Sequence, residues 1–172
     1  MDTELSDVGF MTALRQAGVL KVIVSSRCLS NYQDLFNLCH LVCQWCCATH
    51  SFFLSCGEIT TTLEDMANQL LLSIHGDTDL NDMELSTEKE AVKTELKKGV
   101  SGNTKLSCWV GAFSKVSIAI RRATFVTFWL YTFIFGSHLH YAIKHLYFRL
   151  AIQISTRVSL PLAPMFLGHL YF

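Results

Sequence analysis

The 172-residue chain reads as mainly α, a helical domain with one small β-hairpin. Three observations predict this. Apolar residues recur at three- and four-residue spacing through several segments, hydroxyl or carboxylate caps precede those segments, and the stretch around Cys56-Gly57 has the turn chemistry of a short hairpin. One domain is expected at this length, and an apolar content of 51% argues against disorder and supplies a core.

Taken in order, Ser6 or Asp7 can cap a first helix that runs to about Ala17, with Gly18 as its C-terminal stop. Val19 to Val24 is short, apolar and β-branched, which predicts extended chain. Ser30 and Gln33 form a capping box for a helix over about 31–47, with Leu35, Leu38, Val42 and Trp45 as its apolar face. Segments 51–55 and 58–60 flank Cys56-Gly57 as the hairpin, where glycine permits a positive φ. The second arm runs into a helix at Thr61-Thr62-Leu63-Glu64-Asp65. Two capping boxes overlap there, Thr61 with Glu64 and Thr62 with Asp65, and Leu63, Met66, Ala67, Leu70 and Leu71 form the buried side.

Residues 76–105 are polar and charged and read as a connector between two apolar halves of a single domain spanning 1–172. Within them a helix over 88–98 starts at the Thr87 to Glu90 box and stops at Gly99. After Trp109 to Phe113, a long helix over about 117–135 is apolar nearly all round, with Thr124, Thr127 and Tyr131 as a narrow polar stripe. Such a helix belongs at the centre of a bundle. A further helix over about 145–154 leads to Leu160-Pro161-Leu162-Ala163-Pro164, where Pro164 is expected as the first residue of a last helix.

Equal numbers of basic and acidic residues, 14 each, hide an asymmetry. Residues 1–95 hold all 14 carboxylates and five Lys/Arg, whereas residues 96–172 hold nine Lys/Arg and no carboxylate, a split of −9 against +9. The positive half can meet phosphate, with Lys115, Arg121, Arg122, Lys144 and Arg149 as candidate nucleic-acid contacts and nearby aromatics stacking on bases. Alternatively it docks on the negative half or on another chain. The aromatics follow core periodicity and the cations are spread out, which favours docking.

The acidic N-terminal sequence lacks the basic start and apolar run of an export signal, and seven cysteines are an odd number, so reduced intracellular thiols are expected. The longest uncharged apolar stretch, Ala123 to Gly136, has 14 residues. A membrane span needs about 18 or more, so no membrane association is expected.

Cys39, Cys43, Cys46, Cys47, His50 and Cys56 look most like a site. On one continuous helix, however, positions 39, 43, 46 and 50 span ~16 Å at 1.5 Å per residue, too far for one tetrahedral ion. Zinc would require Cys43 or Cys46 with His50 and Cys56 folded back from the hairpin, and buried apolar thiols are the simpler expectation. Asp77, Asp79, Asn81 and Glu88 fit four positions of a calcium loop, but Asp82 stands where glycine is needed and Leu85 holds the ninth position, so a solvated acidic loop is expected. His138, His140 and His145 have no carboxylate on their side of the chain. Glycine-rich phosphate loops, Gly-x-Ser-x-Gly and His-Glu-x-x-His are absent, and no catalytic residue, metal or cofactor is predicted.

The run Trp45-Cys46-Cys47-Ala48-Thr49-His50-Ser51-Phe52-Phe53-Leu54-Ser55-Cys56-Gly57-Glu58-Ile59-Thr60-Thr61-Thr62-Leu63-Glu64-Asp65-Met66 closely resembles the plant mobile domain, also called the aminotransferase-like plant mobile domain. The pattern is Trp, Thr-His-x-Phe, Gly-Glu-x-Thr-x-Thr-Leu-x-Asp. Leu150-Ala151-Ile152, Leu160 to Pro164 and Leu170-Tyr171 resemble a later block of the same family. Gln44 stands where relatives usually have arginine, and relatives usually continue past the position of Tyr171, so the resemblance implies a fragment, or a degenerate copy of transposon origin, with an exposed apolar end. It further implies a plant nuclear protein related to meristem maintenance, silencing and genome integrity, with protein partners that include phosphatase-like proteins. The name promises an aminotransferase, but no lysine here has the surroundings of a Schiff-base lysine in a phosphate cup. The expectation is a non-enzymatic interaction module, with a nucleic-acid-binding remnant of a transposon-encoded protein as the alternative.

Overall fold

The computed structural model describes residues 2–28, 35–77, 84–98, 100, 106–113, 116–135 and 145–171. Helices dominate, and a three-stranded antiparallel sheet of order β1-β2-β3 lies between them. The N-terminal helices are α1 (Asp2–Leu5), α2 (Val8–Gln16) and α3 (Leu20–Cys28). Asp7 caps α2 as its sequence position predicts, its carboxylate accepting from the Gly9 and Phe10 amides at 2.9 and 3.2 Å. At the other end Gly18, at φ 75°, donates to the Arg15 carbonyl and Val19 donates to the Leu14 carbonyl, the paired bonds of a Schellman motif.

The Val19 to Val24 stretch, expected to be extended, is helical from Leu20 onward. Val19, Val22, Ile23 and Ser26 are all buried, and their spacing is that of one helix face, so burial on that face overrides the β-branched preference.

The helix expected over 31–47 stops early. Residues 31–34, with the start of that helix, fall outside the described set; α4 covers Leu35–Val42, and Trp45-Cys46 form β1. β1 pairs with β2 (Ser51–Leu54), Trp45 opposite Phe52 and Cys46 opposite Ser51. β2 pairs in turn with β3 (Gly57–Ile59), Phe53 opposite Glu58. The expected hairpin is therefore present, and Gly57 takes φ 132°, a value L side chains avoid. A third strand, recruited from the preceding helix, joins it. α4 itself is largely open to solvent, with Phe36, Leu41 and Val42 exposed.

Of the two overlapping boxes, the Thr62 and Asp65 pair forms and starts α5 (Leu63–Gln69). α6 (Thr87–Lys98) begins one residue before its expected start, and the Ser86 carbonyl accepts from the Glu90 amide. Leu96 of α6 is fully buried beside Trp109 of α7 (Leu106–Ala112), whose indole N–H donates to the Leu96 carbonyl at 3.2 Å.

The predicted central helix is α8 (Ile118–Trp129), followed by a π-helical stretch over Leu130–Ile134 that closes with a Phe135 to Leu130 bond of 2.8 Å. Its polar stripe satisfies itself: Thr124 and Thr127 donate to the Ile120 and Ala123 carbonyls. α8 packs along α9 (Leu146–Ser155), and α5 packs on α10 (Leu162–Tyr171). Pro164 is the third residue of α10, not the first; its missing N–H still falls in the turn that has no intrahelical partner. Two cores result. The larger joins Phe10, Leu14, Val22, Phe125, Trp129, Leu150 and Leu162, and the smaller joins Leu96, Trp109, Phe113, Ile120 and Phe148.

Between α5 and α6, the chain at 73–77 is clipped to the loop before α10. Asp77 and Ser159 exchange backbone and side-chain bonds, and the Ala163 amide donates to the Ser73 carbonyl. Gly76 is required by this approach, because a Cβ there would lie 2.5 Å from Pro161 Cδ.

No single described helix is long and apolar enough to cross a membrane; α2 and α3 reach that composition only as a pair bent by 112°.

Candidate functional site

The signature aromatics converge on one face of the small sheet. Cross-strand pairing sets Trp45 against Phe52, ring centroids 4.7 Å apart and edge to face. The β1–β2 turn carries His50 at φ 52°, and its ring lies parallel to that of Tyr171 at 4.9 Å. Tyr171, near the end of α10, also stacks on Trp45 at 5.9 Å, so an element 126 positions later closes the aromatic face.

Polar bonds fix the same assembly. The Tyr171 hydroxyl donates to the Thr61 carbonyl and lies 3.2 Å from Thr60 Oγ1, which donates to the His50 carbonyl at 2.8 Å. Ser51 donates to the Glu58 carboxylate across the strands and lies 2.6 Å from the Thr49 hydroxyl. Thr62 and Asp65 complete the set as the reciprocal cap of α5. Each signature position thus holds a strand pair, a turn or a cap.

Cys46 is the member with chemical character. The Thr49 hydroxyl, then the backbone amides of Thr49 and Ala48, stabilise its thiolate and hold the thiol below the usual range. The expectation of buried thiols is corrected. Cys39, Cys43, Cys47, Cys56 and Cys108 are exposed and Cys46 is partly so, because α4 and the sheet edge that carry most of them stand outside both cores. Among the described residues no three of His, Cys, Asp and Glu come close enough to hold a metal ion. Asp77 of the calcium pattern is engaged with Ser159, and Asp79, Asn81 and Asp82 lie outside the described residues. Likewise His138 and His140 lie outside them, and the His145 ring meets Phe148 at 5.6 Å.

Of the five basic candidates, Lys115 and Lys144 lie outside the described residues. Arg121 and Arg122 sit side by side on α8 and are both engaged by carboxylates of the N-terminal segment. Arg121 pairs with Glu4, and Arg122 with Asp7 at 2.6 Å. Arg122, followed by the Phe10 amide, holds the Asp7 carboxyl below the ordinary aspartate range. Arg149 is exposed on α9, on the side where its charge helps Lys93 lower the Glu90 acid. Sequence reasoning anticipated a match between the acidic and basic halves but named neither Glu4 nor Asp7 as its agents. The available signal was their spacing of three, which suits two adjacent arginines.

No curated protein and no solved structure matches the chain. A family model does, that of the plant mobile domain, over residues 18–172. That match covers nearly the whole chain and includes every signature residue placed above, and the chain therefore belongs to the plant mobile domain family.

Proposed function

We propose that this domain is a non-enzymatic interaction module of a plant nuclear protein, related to transposon-encoded proteins and acting in meristem maintenance, silencing and genome integrity. Its partners are proteins, phosphatase-like ones among them. The observation that carries this reading is the use made of the family signature. Trp45, His50 and Phe52 pack with Tyr171, Glu58 accepts from Ser51, and Thr62 and Asp65 cap α5, a set of structural contacts that supports reading the signature as a surface. The adjacent arginines, best suited to phosphate, answer carboxylates of the same chain.

The alternative, a nucleic-acid-binding remnant of a transposon-encoded protein, draws support from exposed Arg149 and from nine cations without a carboxylate over 96–172. The test is capture of the tagged chain from nuclease-treated plant nuclei, with salt-titrated binding to duplex and single-stranded DNA in parallel. A stoichiometric protein partner that survives nuclease is the expected result. Loss of all partners with nuclease, joined to DNA affinity that falls steeply with salt, selects the alternative. A stable adduct of pyridoxal phosphate at one lysine, read by its absorbance band, would overturn the non-enzymatic assignment.

A further inference from the structure

Residues 2–17 lie outside the family match, yet they fill part of the domain's core. They end at Gly18, where the chain turns by 112° into α3. Phe10, Leu14 and Ala17 are fully buried in the cluster that holds Phe125 and Val126 of α8 and Leu150, Ala151 and Ile154 of α9. Phe10 meets Phe125 edge to face at 5.7 Å. Around this apolar floor stand the two arginines. Arg122 reaches over the Phe10 ring at 5.2 Å while bonding Asp7, so one guanidinium reads an acid and an aromatic three residues apart.

The polar fit around this floor is incomplete. Glu4 Oε2 and the Nε atoms of Arg121 and Arg122 are buried without a hydrogen bond, and Arg121 touches Glu4 without hydrogen-bond geometry. Buried polar atoms left this way weaken a contact.

We propose that the α8–α9 surface beneath residues 2–17 is a docking site for an acidic amphipathic helix of a partner protein, and that residues 2–17 are a built-in occupant that competes for it. The inference rests on the interaction-module reading and supplies the partner's chemistry: a carboxylate three residues before an aromatic side chain, with leucine four residues after it. A nucleic-acid backbone has no group for the Phe125, Val126, Leu150 and Ala151 floor, so charge alone does not describe this site.

The test uses the full chain. By amide exchange, residues 8–17 should open at least tenfold more often than residues 150–154, and the ratio should grow with salt. A full-length Glu4→Lys/Asp7→Lys variant should bind a fluorescein-labelled peptide of residues 2–17 at least tenfold more tightly than the unmodified chain does. A peptide carrying Glu4→Gln and Asp7→Asn should bind at least fivefold more weakly. Exchange of residues 8–17 only through the global opening that exposes α9 overturns the proposal, as does binding indifferent to the peptide's carboxylates. The exchange measurement holds even where the charge variant fails to fold. Formation of a dimer that exchanges residues 2–17 between copies assigns the site to a second copy and overturns the partner. The two readings also fail separately. Nuclear partner capture that survives Arg121→Ala/Arg122→Ala sinks the docking site alone, and peptide binding without any nuclear partner sinks the interaction module.

Discussion

Replacing Arg157 by glycine should stabilise this domain, and replacing Gly18 by alanine should destabilise it by a similar amount. Both residues occupy the left-handed position that ends a helix, both at φ 75°. After α9 the Arg157 amide donates to the Ile154 carbonyl at 3.2 Å and the Val158 amide to the Gln153 carbonyl at 3.1 Å. After α2 the equivalent bonds, from Gly18 and Val19, measure 3.1 and 3.0 Å. The geometry is shared, so the residue type makes the difference. Left-handed backbone costs a non-glycine residue about 1–2 kcal/mol, and glycine gives back about 0.5–1 kcal/mol through its freer unfolded chain. Arg157→Gly should therefore gain about 0.5–1 kcal/mol, since the side chain is exposed and its loss removes little packing. At Gly18 an added Cβ would meet only Ser159 Oγ, at 3.8 Å, an ordinary contact, so the cost of Gly18→Ala is torsional and of the same order. For a chain of this length 1 kcal/mol moves Tm by roughly 2–4 °C. Thermal melts and urea titrations followed by circular dichroism would read both variants, with unchanged urea slopes as the sign that only stability moved. A lower Tm for Arg157→Gly would refute the reasoning.

Gly76→Ala should cost about 1–3 kcal/mol in urea titration, because its Cβ would drive backbone and ring atoms of Pro161 apart. Tyr171→Phe keeps the rings but loses the bond to the Thr61 carbonyl, a cost of about 1 kcal/mol, whereas Tyr171→Ala should also raise amide exchange across residues 45–60. Asp7, Asp65 and Glu90 all have lowered pKa values, from Arg122, Thr62 and Lys93 first. Their stabilisation is complete above the ordinary carboxylate range and is lost as pH falls through the lowered folded values, so Tm should hold to about pH 5 and drop below about pH 4. Asp7→Asn, which keeps the cap, should flatten that drop. Cys46, favoured as thiolate, should be alkylated by iodoacetamide at neutral pH faster than exposed Cys108, with the order read by peptide mass spectrometry and the advantage lost in Thr49→Ala.

What the sequence made legible follows the range of the interactions involved. The Asp7 cap, the Gly18 stop, the Thr62 and Asp65 box and the β2–β3 hairpin rest on neighbours within a few residues, and each appears where its residues predict it. The apolar circumference of α8 likewise announced a central helix. Long-range pairing was out of reach. Nothing local distinguishes Trp45-Cys46 as strand from a last helical turn until Ser51-Phe52 is seen beside it. Val19, Val22, Ile23 and Ser26 are spaced as one helix face, a signal that β-branched content alone does not carry. In the site, the family signature identified its own residues, while the partnership of Tyr171 with Trp45 and of Glu4 and Asp7 with the arginines depends on the whole fold.

The closure of the sheet by Tyr171 also sets an order of events at the ribosome. Thr61 and Tyr171 are 110 residues apart, and at about 5–20 residues per second their contact waits roughly 5–20 s after Thr61 has been made. During that interval the Trp45, His50 and Phe52 rings have strands behind them and nothing in front. A nascent chain is therefore most open to capture at this face, and a chaperone that binds exposed aromatic residues would meet the family signature before the domain can hide it.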